Sequence, residues 1–363
     1  MVENKVYNFS AGPAALPGEV ELSLQQAMVN YNGTGVSIGS IGHRTALFAE
    51  IAEQSEALLR RLLGVSDDYA VLFLHGGASH QFAMVPMNLL RGKKTADYFV
   101  TGTWSKKAYK EAQRYCQAKI VGDIQHSVDG LMSLPKQQDW RLYPQAAYVY
   151  YTPNETIHGL EFHSLPEVGE VPLVADATST LLSRPLDVSR HGLIFAGAQK
   201  NLGIAGVTVV IVRRDLLGHE LLHTPTLYSY LHHDQERSLS NTGPIVPWYA
   251  TYLVLQWIEQ QGGVDALAQV NQRKAQKLYD FIDQSDFYLN VVAKADRSWM
   301  NIPFLLSDAE LESQFLHAAD EQGLKFLHGH HSVGGMRASL YNAMPEAGVD
   351  ALILFMQEFE KRQ

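Results

Sequence analysis

The sequence predicts an α/β protein in which a mostly parallel sheet is covered by helices and a smaller α+β domain follows. Three observations carry that prediction. From about residue 44 to about residue 215, stretches with helical apolar spacing alternate with short apolar runs, the pattern of strands joined by covering helices. A chain of 363 residues is long for a single hydrophobic core. Gly262-Gly263 then interrupts a long helical stretch, where the alternation gives way to a different order of elements.

Taken in order, Leu47, Ile51, Leu58 and Leu62 share one helical face, and Gly64 stops that helix. Residues 69–74 read as a buried strand ending at His75-Gly76-Gly77. A helix is expected over 79–90 before an apolar run at 98–100, and another over 105–116 before a run at 119–121. Further strands are expected at 147–151, 171–175, 193–196 and 207–212. Pro244 and Pro247 lead into a helical segment that runs to about Gln260. The boundary between a large domain, 1–261, and a small one, 262–363, is placed at the glycine pair, with the N-terminal segment able to pack with the small domain. The small domain is expected to carry helices at 264–282 and 309–322 and strands at 300–305 and 336–341. Val349, Leu352, Phe355, Met356 and Phe359 give it a closing amphipathic helix.

Composition excludes several functions. With 46% hydrophobic and 18% charged residues and no low-complexity tract, the chain is expected to fold rather than stay disordered. A formal charge of -9 argues against a general nucleic-acid or anionic-membrane surface, so any anion has to be captured by a local basic site. No basic segment followed by an apolar run opens the sequence, and no run of about 18 apolar residues occurs, so neither export nor a membrane span is expected. Cys116 is the only cysteine, which rules out an intramolecular disulfide and suits a reducing cytoplasm. The triplets Asn8-Phe9-Ser10, Asn32-Gly33-Thr34 and Asn154-Glu155-Thr156 match the glycosylation pattern, which carries meaning only in a secreted chain.

Ligands of open α/β sheets bind beyond the carboxyl ends of the strands, so the polar residues there are the first candidates. The run Val171-Pro172-Leu173-Val174-Ala175 delivers Asp176, which alone reads as a helix cap. Leu193-Ile194-Phe195-Ala196 leads to Gly197-Ala198-Gln199-Lys200-Asn201, and alone Lys200 reads as a surface lysine. His75-Gly76-Gly77-Ala78-Ser79 joins a strand to a helix start, a place where backbone N–H groups can take a phosphate, although Gly-Gly alone is also a tight turn. Together the three supply a lysine for a Schiff base, an acid for a pyridine nitrogen and a phosphate cradle, the needs of pyridoxal 5′-phosphate (PLP) chemistry.

Further motifs follow in one consistent order: Asn8-Phe9-Ser10-Ala11-Gly12-Pro13-Ala14, Gly42-His43-Arg44, Pro153-Asn154-Glu155-Thr156, Gly334-Gly335-Met336-Arg337-Ala338-Ser339 and Tyr341-Asn342-Ala343. By these and the three strand ends the chain resembles, nearly end to end, the phosphoserine aminotransferase family, fold-type I PLP enzymes of the class V aminotransferase group. The resemblance implies that Lys200 holds PLP as a Schiff base and shuttles the proton as general base and acid, while Asp176 pairs with the pyridine nitrogen. It implies that Trp104 stacks on the ring, that Thr156 bonds its phenolate oxygen, and that Ala78, Ser79 and Gln199 hold the phosphate. Asn241 and Thr242 match positions that reach the cofactor phosphate of a partner subunit, which implies a homodimer with shared sites.

The implied reaction transfers the amino group of L-glutamate to 3-phosphooxypyruvate, giving O-phospho-L-serine and 2-oxoglutarate in serine biosynthesis. A second implied substrate is 4-phosphohydroxythreonine, in pyridoxine biosynthesis. Arg337 is implied as the fork on the α-carboxylate. His43, Arg44, His330 and His331 are implied at the phosphate or side-chain carboxylate. Some family members carry arginine at the positions of Ser79 and His331, a departure that leaves the architecture intact and the detailed phosphate contacts open.

Three rival readings have a residue basis. Gly35-Val36-Ser37-Ile38-Gly39 matches the G-x-S-x-G elbow of serine hydrolases, but its approach, Asn30-Tyr31-Asn32-Gly33-Thr34, is turn-rich where the elbow needs a strand. His328, His330 and His331 suggest a metal module but lack the ligand spacing of one, and no metal is expected. A desulfurase on the same fold needs a mobile cysteine, which Cys116 in a helix-like stretch serves poorly.

Overall fold

The computed structural model describes residues 5–128 and 130–363. The chain opens with strand β1 (Tyr7–Asn8) and helix α1 (Gly18–Val29), then α2 (Ala46–Leu63), β2 (Tyr69–His75), α3 (Ala78–Leu89), β3 (Thr95–Val100), α4 (Thr103–Ala112) and β4 (Gln117–Asp123). Strands β5 (Val149–Tyr151), β6 (Leu173–Asp176), β7 (Leu193–Gly197) and β8 (Val207–Arg213) complete a seven-stranded sheet. Helices α5 (Tyr230–Gln235), α6 (Ile245–Gln260) and α7 (Gly263–Gln284) follow. The remainder is β9 (Tyr288–Leu289), β10 (Asn301–Leu306), α8 (Glu312–Glu321), β11 (Leu324–Lys325), β12 (Met336–Ser339) and α9 (Glu346–Glu360).

The large sheet has the order β2-β8-β7-β6-β5-β3-β4. Only β8 runs against its neighbours; it is antiparallel to both β7 and β2, so the other six strands point one way. Their carboxyl ends therefore lie along one edge, the edge that places a ligand in this class of sheet. The central strands read as unbroken apolar runs because both their faces are buried. In β8, Val207, Val209 and Ile211 join one core cluster and Val210 and Val212 the other. Strand β7 divides likewise, Ile194 and Ala196 to one side and Leu193 and Phe195 to the other.

Helix α2 shows how local sequence sets an element's limits. Thr45 accepts a hydrogen bond from Phe48 N at its start, and Gly64 ends it in the left-handed conformation with φ 64°. The apolar stripe between them, Phe48, Ile51, Leu58 and Leu59 among its members, is buried against the sheet. A third core cluster surrounds the antiparallel sheet β9-β10-β12 and includes α9 and the later turns of α7. The first turn of α7 packs elsewhere: Val264 and Leu267 belong to the core of the large sheet. Strand β1 pairs in parallel with β11, and Phe9 lies in the third cluster, so the N-terminal segment packs with the C-terminal part of the chain.

Some details differ from the sequence reading. Helix α1 had no place in it, because this helix has no clean apolar stripe: Val20 and Ala27 are buried while Leu22, Met28 and Val29 are exposed. The stretch expected to be helical over 105–116 ends at Ala112, and Cys116 sits in the bend before β4, where burial pushes its thiol up to about 11. The helix expected over 309–322 is a 3₁₀ turn, Ala309–Leu311, followed by α8. Ser37 caps a 3₁₀ turn, Ile38–Ser40, and an earlier turn, Tyr31–Gly33, precedes it where a nucleophile elbow requires a strand.

Candidate active site

Seven residues singled out in the sequence, Ala78, Ser79, Trp104, Thr156, Asp176, Gln199 and Lys200, line one cleft at the carboxyl edge of the large sheet. The topology explains the convergence. Ala78 and Ser79 follow β2, Trp104 follows β3, Thr156 follows β5, Asp176 ends β6, and Gln199 and Lys200 stand in the turn after β7. Parallel strands deliver all of them to the same edge from five separate places in the chain.

Asp176 is buried, and its Oδ1 accepts hydrogen bonds from Thr178 N at 3.1 Å and Thr178 Oγ1 at 2.5 Å. The Thr178 hydroxyl also accepts from Gly197 N at 3.2 Å, which fixes the end of β6 to the end of β7 and so the acid to the lysine's strand. Burial raises the Asp176 carboxyl to about 6, against the pull of the Thr178 hydrogen bonds and of Lys200. Burial acts in the opposite sense on Lys200 and lowers its amine to about 8; Arg337 lowers it further, while Asp176 and Glu155 hold it up. The Lys200 amine donates to Thr156 Oγ1. The N-terminal segment lies over this lysine: Ala14 N donates to Gln199 O at 2.8 Å, and a Cβ on Gly12 would meet Lys200 Cγ and Cε at 3.5 Å.

Glu155 had no role in the sequence reading, and the structure places it at the root of the Trp104 helix. Fully buried, it accepts from Trp104 N at 3.0 Å, Ser105 N at 2.8 Å and Ser105 Oγ at 2.5 Å. The free N–H groups that open α4 are thus already answered by a carboxylate. Helix α3 is different, because Gly77 at its cap has no side chain to offer and its first N–H groups face the cleft. Of the two helix starts, α3 is the one left for an external anion.

The residues fit PLP on three observations of the chain itself. A Cβ on Gly197 would lie 2.6 Å from Gln199 Oε1 and 3.4 Å from Ala78 N, so only a glycine leaves the hollow between that amide and the α3 start open for a phosphate. Oδ1 of Asp176 takes both Thr178 hydrogen bonds, which leaves its other oxygen to face a ring nitrogen. The Trp104 indole borders the cleft with its Nε1 buried and without a hydrogen-bond partner.

Arg337, on β12, reaches the same cleft from the small sheet, with Nη1 3.4 Å from Thr156 O. Its buried Nε has no partner, and burial lowers its pKa. Among the described residues no carboxylate is paired with it, and a planar guanidinium fork matches a carboxylate bidentately. The His330 and His331 rings are 4.1 Å apart, and burial first, then His331, Arg337, Lys107 and His158, disfavour a proton on His330. Lys107 and His158 escaped the sequence reading; Lys107 is recognisable only once α4 is formed, with its Nζ 4.4 Å from the Trp104 ring centre.

Like Arg337, His330 and His331, the remaining four candidates are not among the residues that line this cleft. His43 is buried with Nε2 unpartnered, and Arg44 beside it is exposed. Asn241 holds the exposed end of β2 through a 3.1 Å contact between its Nδ2 and His75 Nε2, with Thr242 exposed next to it. Among the described residues no three His, Cys, Asp or Glu side chains are grouped to hold a metal ion, and no helix is long and apolar enough to cross a membrane.

Comparison with known proteins identifies a family. Residues 6–352 match the model of the class-V aminotransferases. The phosphoserine aminotransferase of Hahella chejuensis is 50% identical over 359 residues, 99% of either chain. Among solved structures, the phosphoserine aminotransferase of Bacillus circulans subsp. alkalophilus superposes with a TM-score of 0.95 at 45% identity and 99% coverage of both chains. The PLP-bound phosphoserine aminotransferase of Trichomonas vaginalis gives 0.93 at 38% identity, covering 97% of this chain and 100% of the other.

Proposed function

The chain belongs to the class-V aminotransferase family, and from that premise we infer that its cleft carries out the phosphoserine aminotransferase reaction. It is a PLP-dependent transaminase that moves the amino group of L-glutamate to 3-phosphooxypyruvate, giving O-phospho-L-serine and 2-oxoglutarate, a step of serine biosynthesis. The observation that carries the reading is the pair at adjacent strand ends, a buried acid and a lysine whose amine is lowered to about 8. The purified protein is expected to be yellow and to lose that colour on addition of L-glutamate alone. A spectrum that glutamate leaves unchanged would overturn it.

When bound, PLP supplies an electron sink for negative charge at the substrate's α-carbon. The chain does the rest. Lys200, its amine lowered by burial to about 8 so that it gives up its proton more readily than a free lysine, would hold the cofactor covalently and carry a proton at Nζ to and from the α-carbon. Asp176 would keep a proton on the ring nitrogen through its free oxygen, and the Thr178 bridge holds the carboxylate in place for it. Trp104 would lie against the cofactor's ring, Thr156 would bond its phenolate oxygen, and Ala78, Ser79 and Gln199 would take its phosphate at the α3 start.

Arg337 reads the α-carboxylate, and His43, Arg44, His330 and His331 read the distal anion. Arg337→Ala should weaken glutamate, phosphoserine and alanine alike, whereas Arg44→Ala should spare alanine, which has no distal anion. Each lost charge-assisted hydrogen bond should lower kcat/KM by about ten- to more than a hundredfold. Equal effects of Arg44→Ala on alanine and phosphoserine would remove it from the distal site.

The working form is a homodimer with shared sites, Asn241 and Thr242 serving the neighbour's cofactor phosphate. Support comes from Arg44 and Thr242 standing exposed and apart from the cleft, and from the uncovered apolar side chains Leu22, Met28, Val29 and Val36 around α1. Mixing the inactive variants Lys200→Ala and Asn241→Asp should restore part of the activity after subunit exchange, since one composite site regains both native residues. No recovery despite verified exchange would argue for sites built within one chain. The large part of the chain, 1–261, and the small one, 262–363, are its two domains, its place is the cytoplasm, and 4-phosphohydroxythreonine fits as a second substrate by its phosphate.

A further inference from the structure

Lys274 stands on α7, fully buried, and the chemistry above makes no use of it. Its Nζ donates to three main-chain carbonyls, Leu340 O at 3.1 Å, Tyr341 O at 2.9 Å and Met344 O at 2.9 Å. An ammonium has three donors and no acceptor, so its hydrogen bonding is complete. Among the described residues no carboxylate is paired with it, and Glu346, whose charge bears on it, is bridged by Arg273 and Lys277 instead. A buried cation held only by carbonyls is costly, and burial lowers its amine to about 7.

The three acceptors lie in one short segment that directly follows β12, the strand carrying Arg337. That segment is also where the small sheet meets the Lys200 turn. Tyr341 OH donates to Ala11 O at 2.8 Å, its ring centre lies 6.0 Å from Lys200 Nζ, and Asn342 N donates to Asn201 Oδ1 at 3.0 Å. One helical turn before Lys274, on the same face of α7, Asn271 Nδ2 donates to Asn342 Oδ1 at 2.8 Å. Helix α7 therefore grips the segment at two points, and the segment in turn sets Arg337 on one side and Tyr341 on the other.

We propose that Lys274 is a positioning residue for recognition of the substrate's α-carboxylate, pinning residues 340–344 so that Arg337 and Tyr341 keep their places beside Lys200. The proposal rests on Arg337 being the carboxylate reader. The cofactor's own contacts come from other elements, on α3, α4, the turn after β5 and the ends of β6 and β7, and Lys274 touches none of them.

The test uses the holoenzyme of Lys274→Met, which keeps the side chain's length and removes its donors. Its cofactor spectrum should match the wild type and kcat should stay within about threefold, while KM for glutamate, phosphoserine and alanine rises about tenfold or more for each. If the methionine variant does not fold, Asn271→Ala loosens the same segment from the neighbouring turn and should give the same pattern. An unchanged KM in a folded variant, or a lowered melting temperature with KM and kcat both near wild type, overturns the proposal and leaves Lys274 a packing residue. Arg337→Ala is the control: if it leaves KM unchanged, the carboxylate assignment itself is wrong and this proposal falls with it, whereas a rise with Arg337→Ala and none with Lys274→Met refutes Lys274 alone.

Discussion

Lys200→Ala is expected to give a folded protein that still takes up PLP and transfers no amino group, its turnover reduced by about ten-thousandfold or more. On the proposed mechanism two functions leave with one side chain, the covalent hold on the cofactor and the proton carrier at the α-carbon, and proton transfer alone is commonly worth about 10²- to 10⁴-fold. Folding should survive because the lysine's methylenes pack at the cleft rather than in a core cluster, and its amine is already displaced to about 8 by burial. Retention of the cofactor follows from the contacts that remain: the α3 start, the Gln199 amide and Asp176. Gel filtration followed by an absorbance spectrum measures the first half of this prediction, and single-turnover reaction with glutamate the second. A near-native rate would show that another group carries the proton.

The reason Lys200 and Asp176 could be found in the sequence is the same reason the fold could. Strands buried on both faces leave unbroken apolar runs such as residues 173–175 and 193–196, and the residues just past such runs are at the ligand edge once the strands are parallel. What stayed hidden are contacts between residues far apart in the chain. Glu155 caps a helix that begins 52 residues earlier, at Thr103, and nothing in the spacing tells its carboxylate from any other. Lys274 looks like one more polar position on an amphipathic helix until the 340–344 segment is folded over it. Helix α1 hid for the opposite reason, since its exposed Leu22, Met28 and Val29 blur the stripe that marks a helix packed on a core. Arg337 was legible by resemblance alone; its enclosure beside Thr156 is a product of β12 pairing with β10.

Asp176→Asn separates the chemical value of a residue from its value to folding. An amide cannot keep a proton on the ring nitrogen, so the rate should fall by about 10²- to 10³-fold, the scale of losing one preorganised electrostatic partner. The chain without cofactor should respond in the other direction. An acid raised from 3.8 to about 6 by burial binds its proton more tightly folded than unfolded. Folding stability is therefore lost as pH rises from about 4 to about 6, and above that window the ionised carboxylate costs about 3 kcal/mol. Asparagine has the same shape and no such titration. The apo-variant should match the wild type near pH 4, then become the more stable of the two by up to about 3 kcal/mol at neutral pH, because the charge it lacks is the one that burial opposes. Urea unfolding of both apo-proteins across that range, set beside their rates with glutamate, checks the two halves together. A variant that loses stability at neutral pH would mean that the charge is satisfied within the chain and that Asp176 is a structural acid; near-normal kinetics would remove it from the ring nitrogen.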